Sequence, residues 1–308
     1  MSPVFRPTLK QIFAVSLAGL TLALGLLYYV FFKGSERTIL QSADRFRQAA
    51  GNQAADRVMN SLDTLPRVES EFESQMHYGQ TDPRNASSVE SGLLALLIAN
   101  ESLSEASFTY AHGAGFDADG NLKIVPASAG EVSVYRTVGT DQLTSTRTWF
   151  EQGKFVAESH ALPANSAHPG EAVVPDPTSH LTFRVPTNFN HFGSLLWTDL
   201  HWSQLDANLP EEKRRVEVSV QKAIDDPSGN FAGVLRLGLS KNQIDHAVAL
   251  KLSGADNNDP HLVFLCDSEG RLIAGPGMNR VVESGDDLRI ATDNQPVAIV
   301  AALKVPAL

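Results

Sequence analysis

A chain of 308 residues, 43% hydrophobic and 19% charged, can bury more than one small core, and two or three structural units are expected. The formal net charge of -10 and the lack of any basic stripe exclude a nucleic-acid partner, whose phosphates are bound by clustered Lys and Arg. The one cysteine, Cys266, excludes an intrachain disulfide and a cysteine zinc cluster; it lies at the end of the apolar run Leu262 to Leu265 with no cation beside it, so a buried, inert thiol is expected.

Residues 1–11 precede an uncharged apolar run, Ile12 to Phe32, flanked by Arg6 and Lys10 before it and by Lys33 and Arg37 after it. About 20 such residues cross a bilayer as a helix. The aromatic end, Tyr28, Tyr29, Phe31 and Phe32, suits a membrane interface and is poor for signal-peptide cleavage. Residues 12–32 are therefore predicted as an uncleaved transmembrane helix in the inner membrane, with residues 1–11 cytoplasmic and the chain after Phe32 extracytoplasmic. Over 33–76 a long membrane-proximal helix is predicted, because Ile39, Ala43, Phe46, Ala50, Ala54, Val58, Leu62 and Leu65 recur three or four apart. Gly51 weakens this helix and Pro66 bends or restarts it. The spacing is not a strict heptad, so a homodimeric coiled coil and a helix laid along its own domain both remain open.

A membrane-distal module is placed at 77–252. Gly79 to Ser88 is a polar loop, and Val89 to Ala99 is a short apolar helix. Glu105 to Ala111 and Leu122 to Val125 are predicted as strands around a turn formed by Asp117 to Asn121. An EF-hand loop has its glycine at the sixth position and ends in a bidentate glutamate, and this stretch has neither, so it is a plain turn. Val132 to Val138 and Arg147 to Phe155 are further strand candidates. Ala161 to Pro186, rich in Pro, Ala, His, Ser and Thr, is predicted as a long loop. His160, His168, His180, His191 and His201 lack the spacing of a helical metal site, so neither a metal nor a cofactor is expected.

The organising feature is an antiparallel hairpin from Arg214 to Ser240. Valines at 216, 218 and 220 alternate with polar residues, which predicts a strand with one buried face; Asp225 to Asn230 is a turn cluster, and Phe231 to Leu239 returns. Val234, Arg236 and Gly238 fall on one face of the returning strand and Leu235, Leu237 and Leu239 on the other. A helix is predicted over Lys241 to Leu252. A second module, 253–308, contributes one hairpin, His261 to Leu265 and Arg271 to Ala274, and a last helical segment from Pro296 to Leu303; it has the look of an unfinished domain at the end of a fragment.

Gly233, Val234 and Leu235 on the hairpin, Arg147, Thr148, Trp149 and Phe150, and the hairpin Phe264 to Ala274 resemble elements of the extracytoplasmic double Cache sensors, whose modules are PAS-like and which belong to bacterial transmembrane signalling receptors. The resemblance covers about residues 34 to 303. It implies an α+β fold: a transmembrane helix, a stalk helix, an antiparallel-sheet Cache module and a partial second one. It further implies a small-molecule ligand beside Arg147, Trp149 and Phe150, with Trp197, Asp199, His201 and Trp202 where the family carries a Trp followed by Tyr and Asp. Gly238 stands where amino-acid-binding members carry an aspartate, which argues against an amino acid. Arg147 and Arg236 together would favour an anionic ligand, unless Arg236 is solvated or pairs with Glu217 or Asp225.

The function expected is ligand sensing by the sensor portion of a membrane receptor, with the output, a nucleotide cyclase first and a histidine kinase next, missing from this chain. Two alternatives from other classes remain. One is a membrane-anchored extracytoplasmic enzyme using Asp199, His201 and Ser203, although no nucleophile elbow surrounds Ser203 and no catalytic residue is expected. The other is a structural or partner-binding membrane protein with the stripe on 39–65 as its interface.

Overall fold

The computed structural model describes residues 9–110, 115–116, 122–123, 130–137, 142–162, 172–207, 209–249, 263–275, 280–284, 287–292 and 299. They fall into two compact units, Met1–Gln53 and Ala54–Leu308. In the first unit the chain is helix α1 (Leu9–Leu62), with Leu20, Leu26, Tyr29 and Phe31 exposed along it. Among the described residues one helix is long and apolar enough to cross a membrane. Lys33 and Glu36 pair at 2.9 Å just past the apolar run.

The second unit begins as α1 turns its stripe inward at Ala54 and Val58, both buried. The helix stops at Leu62, four residues before Pro66, whose ring clashes with the carbonyl at that distance and whose nitrogen cannot donate to it. Helix α2 (Thr64–His77) restarts with Pro66 in its first turn, where a missing N–H costs nothing. It buries Leu65, Val68, Phe72 and Met76. Helix α3 (Ala86–Ala99) opens on Asn85, whose side chain accepts from the Ser87 and Ser88 amides, and buries Val89, Leu93, Leu96 and Leu97.

These helices pack on an eight-stranded antiparallel sheet built from β1 (Leu103–Tyr110), β4 (Glu131–Arg136), β5 (Leu143–Glu151), β6 (Lys154–Leu162), β7 (Ala172–Val174), β8 (Leu196–Trp202), β9 (Val216–Asp225) and β10 (Phe231–Ser240), in the order β7-β6-β5-β4-β1-β10-β9-β8. A separate small ladder joins β2 (Gly115–Phe116) to β3 (Leu122–Lys123). The expected turn at Asp117 to Asn121 lies outside the described residues. Chain register gives the large sheet two distinct faces. Phe108, Val132, Val134, Leu235 and Leu237 point toward α2 and α3 and form the main apolar core with Phe72, Leu93 and Leu97. Each such fully buried side chain stabilises the fold by roughly 1.5–3 kcal/mol. On the opposite face, Arg236, Ser107, Ser133 and Thr146 stand in one lateral row, with Glu105, Thr109, Glu131, Glu217, Ser219 and Gln221 around them.

That polar face is covered as well. Between β7 and β8 the chain makes a 3-10 turn (Pro177–Ser179) and the short helix α4 (Leu181–Arg184), and Phe183 packs against Ala223 and Val234 of the polar face. All eight residues of β1 are buried. Burial of both faces corrects the one-sided expectation for 216–221: Glu217, Ser219 and Gln221 are as buried as Val218 and Val220. The expected long loop over 161–186 is partly regular structure, with 163–171 outside the described residues.

Further differences have local causes. The single strand expected over Arg147 to Phe155 is a hairpin, because Gln152 and Gly153 take φ values of 49° and 83° and reverse the chain. Helix α5 (Lys241–Val248) is capped by Ser240; residues 250–252 of the expected helix lie outside the described set. Over 253–308, where one hairpin was expected, the described residues form two: β11 (Leu265–Cys266) with β12 (Leu272–Ala274), and β13 (Val281–Ser284) with β14 (Asp287–Ile290). Cys266 is exposed, not buried, since β11 pairs with β12 alone and Cys266 alternates outward from Leu265. Of the helix expected over Pro296 to Leu303, Ile299 alone is described; it packs with Leu272 and Ile290.

Candidate functional site

The polar face carries two adjoining features, a cavity over its β4–β5–β6 side and a buried ionic network over its β1–β10–β9 side. The cavity measures about 90 Å³ and is lined by Glu131, Thr146, Thr148 and Ala157 from the sheet and by His180 and Gln204, among others, from the covering segment. Strand register sets its floor: Glu131 faces Thr148 on β5, which faces Ala157 on β6. The Glu131 carboxylate accepts hydrogen bonds from Thr109 Oγ1 at 2.8 Å and Ser133 Oγ at 2.7 Å. Burial pushes the His180 imidazole below its ordinary value against the pull of Glu131, so it is uncharged at neutral pH.

The network next to it is dense. Arg236, 3% exposed, meets Glu105 Oε1 at 2.6 Å and Glu217 Oε1 at 3.5 Å, and donates from Nε to Ser107 Oγ at 3.3 Å. The Arg236–Glu105 contact is an ion pair without hydrogen-bond alignment. Arg215 pairs with Glu105 at 3.2 Å and with Asp206 at 2.8 Å, and its guanidinium lies 4.6 Å from the centre of the Tyr135 ring. Ser203 Oγ donates to Glu105 at 2.6 Å. His201 Nε2 approaches Glu217 at 3.5 Å, and its Nδ1 bonds the Asp199 carbonyl at 2.8 Å.

Burial alone would raise the Glu105 carboxyl, but Arg236, Arg215 and the Ser203 hydroxyl hold it below the ordinary value. Glu217 goes the other way: burial and the neighbouring Glu105 charge push it up. Burial would lower His201, yet the hydrogen bond and charge of Glu217 raise it on balance. Gly238 lies between the two carboxylates, and a Cβ there would sit 2.5 Å from Glu217 Oε2 and 2.7 Å from Glu105 Cγ. The space beside Gly238, where the resemblance had placed an aspartate, is filled by carboxylates reaching in from both neighbouring strands.

The sequence-predicted residues do not form one site. Arg147 lies on the helix-facing side of β5, where it bonds Glu90 of α3 and donates to Ser87 Oγ at 3.1 Å. Arg236 points to the opposite face, so the two guanidiniums cannot hold one anion, and each is already engaged by carboxylates. Trp149 donates to Glu151 at 3.1 Å, and Phe150 is exposed and stacks edge-on with Phe155. Trp197 is exposed, and Trp202 packs at the margin of the main core. A register shift in β8 between Thr198 and His201 separates Asp199 from its neighbours, and its carboxylate bonds Arg289 of β14 at 2.8 Å. His201 meets Arg236 through Glu217 and meets Asp199 through that residue's backbone carbonyl. Asp199, His201 and Ser203 form no relay, since their side chains bond Arg289, Glu217 and Glu105 respectively.

Sequence reasoning missed Glu131, Thr146, Thr148, Glu105 and Arg215. Their signal was the polar half of each alternating strand, Glu105-Ser107-Thr109 and Glu131-Ser133-Tyr135, which reads identically for a solvated face. Among the described residues no group of three or more His, Cys, Asp or Glu is placed to hold a metal ion.

No family model and no curated protein matches the chain. Among solved structures it is similar to a "Methyl-accepting Chemotaxis protein X" at 12% identity, with 78% of this chain and 75% of that one covered and a TM-score of 0.43. It is also similar to an extracellular domain assigned to the histidine kinase soHK1S-Z6, at 13% identity, 77% and 72% coverage and a TM-score of 0.46. A second extracellular domain, assigned to the histidine kinase mmHK1S-Z3, gives 17% identity, 75% and 68% coverage and a TM-score of 0.38.

Proposed function

We propose that this chain is the sensor portion of a membrane-anchored signalling receptor and that it takes a small ligand in the cavity on the polar face of its sheet. The observation that carries the reading is that this face is buried although it is made of Ser, Thr, Glu and Arg. A sheet face serving stability alone is filled with apolar side chains, as the other face is. Here the segments on either side of β8, Pro175 to Arg184 and Gln204 to Ala207, cover polar groups and leave a cavity among them. The anchor is α1, and the module boundaries at 77 and 253 belong to the same reading. Ile39 and Phe46, exposed on α1, are the surface through which two copies would pair. The output under its control is a nucleotide cyclase in the first reading and a histidine kinase in the second.

The test is a thermal-shift screen of the full chain in detergent micelles against an unbiased library of small polar metabolites. A ligand that binds only the folded state raises the melting temperature. At least one compound is expected to do so in the wild type and to lose its effect in Ala157→Leu, which fills the cavity floor. A library with no such compound, or one whose hits are indifferent to Ala157→Leu, refutes the reading.

A further inference from the structure

The structure assigns the cavity on the polar face to a small organic ammonium, a primary amine of a few heavy atoms, held by the Glu131 carboxylate. The inference rests on the sensor reading above and adds the chemical class of the ligand. Its basis is a charge inventory of the carboxylates gathered at this face. Glu105 meets Arg236 and Arg215, Glu217 meets Arg236 and His201, and Asp206 meets Arg215. Glu131 has no ion-pair partner among the described residues; its carboxylate accepts only the hydroxyls of Thr109 and Ser133. Arg236 lies within electrostatic range of Glu131 but commits its direct contacts to Glu105 and Glu217.

Glu131 is half-buried at the cavity wall, and a ligand that brought a positive charge there would form a charge-assisted hydrogen bond with a carboxylate that no guanidinium or ammonium of the described residues contacts. Glu131 is also the one carboxylate among the described residues that line the cavity. The remaining polar lining is neutral: Thr146, Thr148, Gln204 and the uncharged His180. An ammonium has donors alone, and here it would meet the Glu131 oxygens, with hydroxyl and amide oxygens of Thr148 and Gln204 as further acceptors. Ala157, Val174, Pro175, Pro177 and Leu205 supply an apolar wall for a short carbon body. A carboxylate ligand would find no Lys or Arg among the described lining residues and would face Glu131 at close range.

A cavity of about 90 Å³ exceeds what a single water needs and has room for a short amine such as ethylamine or n-propylamine.

The experiment compares n-propylamine, n-propanol and propionate, each at millimolar concentration, on the full chain in detergent micelles by thermal shift and calorimetric titration. n-Propylamine is expected to raise the melting temperature and to bind at least about 10-fold more tightly than either isostere. Glu131→Gln should weaken it by at least about 10-fold while leaving the unliganded melting temperature within a few degrees. Equal binding of the three probes, preference for propionate, no binding of the amine, or amine binding unchanged in Glu131→Gln each overturns the inference. The probe comparison needs no variant, so it decides the matter even where Glu131→Gln does not fold. A library ligand of another class that is lost in Ala157→Leu would overturn the ammonium assignment and leave the sensor reading standing.

Discussion

Gly238→Ala is the sharpest test of the buried ionic network. The added Cβ would lie 2.5 Å from Glu217 Oε2, 2.7 Å from Glu105 Cγ and 3.1 Å from Glu217 Cδ. Non-bonded heavy atoms rest at about 3.5–4.0 Å, so both carboxylates must retreat by the better part of an ångström. Neither can do so freely. Glu105 is held by Arg236, Arg215 and Ser203, and Glu217 by Arg236 and His201. Overpacking alone costs about 1–3 kcal/mol, and outright loss of one partner of a buried pair costs about 3–5 kcal/mol. Partial loss of several contacts therefore places the expected destabilisation at about 2–4 kcal/mol, or a fall in melting temperature of about 5–15 °C at this size. Urea unfolding of the full chain in micelles, followed by far-ultraviolet circular dichroism, should show a lower midpoint at unchanged slope. Repeating the measurement in a Glu217→Gln background keeps the side-chain shape and removes the charge, so a steric penalty persists there. A loss below about 0.5 kcal/mol, the range of an ordinary surface substitution, would refute the packing argument.

Arg147→Ala removes the guanidinium that faces Glu90 from a position 37% exposed, so solvent screening discounts the pair. A loss of about 1–2 kcal/mol is expected, with affinity for any cavity ligand unchanged, because Arg147 lies on the other face of the sheet; a fall in affinity of 10-fold or more would contradict that placement. His201 supplies a pH signature. Its folded value is raised above the ordinary 6.5, so its contribution to stability is fully present below 6.5 and is lost as pH rises through the folded value. Glu217 is raised as well, so its contribution is present below its ordinary 4.5 and is lost as pH rises through its own folded value. Wild-type stability should therefore fall on going from about pH 6.5 to 8.5, and His201→Gln should flatten that slope; an equal slope in both proteins would show that His201 carries no such charge.

The parts of the fold that were legible had strong local signals. Pro66 announced where the long helix must stop, and the period-two valines and the Asp225 to Asn230 cluster announced β9 and β10. Weak signals were lost. Gln152 is a poor marker of a turn, so β5 and β6 merged into one strand, and the four-residue strands β13 and β14 are too short and too charged to show a period. The site was less legible for a physical reason. Alternation fixes the faces within a strand, but whether Arg147 and Arg236 share a face depends on the register across β4 and β1, which the sequence does not encode locally. Nor does a run of Ser, Thr and Glu reveal that segments distant in sequence, Pro175 to Arg184 and Gln204 to Ala207, will fold over it. Gly238 marks in the sequence a position without a carboxylate; that Glu105 and Glu217 occupy the space beside it follows only from the strands on either side.

The exposed thiol on β11 has a practical consequence. Cys266 is the protein's sole cysteine and stands outside the core, so a maleimide dye or a nitroxide can be attached at one defined point with no substitution elsewhere. Its hairpin partner β12 packs in the same unit as β14, whose Arg289 bonds both Asp267 and Asp199 of β8. A label at Cys266 thus sits one residue from a contact that ties the smaller hairpins to the large sheet, and the unaltered chain carries its own spectroscopic reporter of whether filling the cavity is felt there.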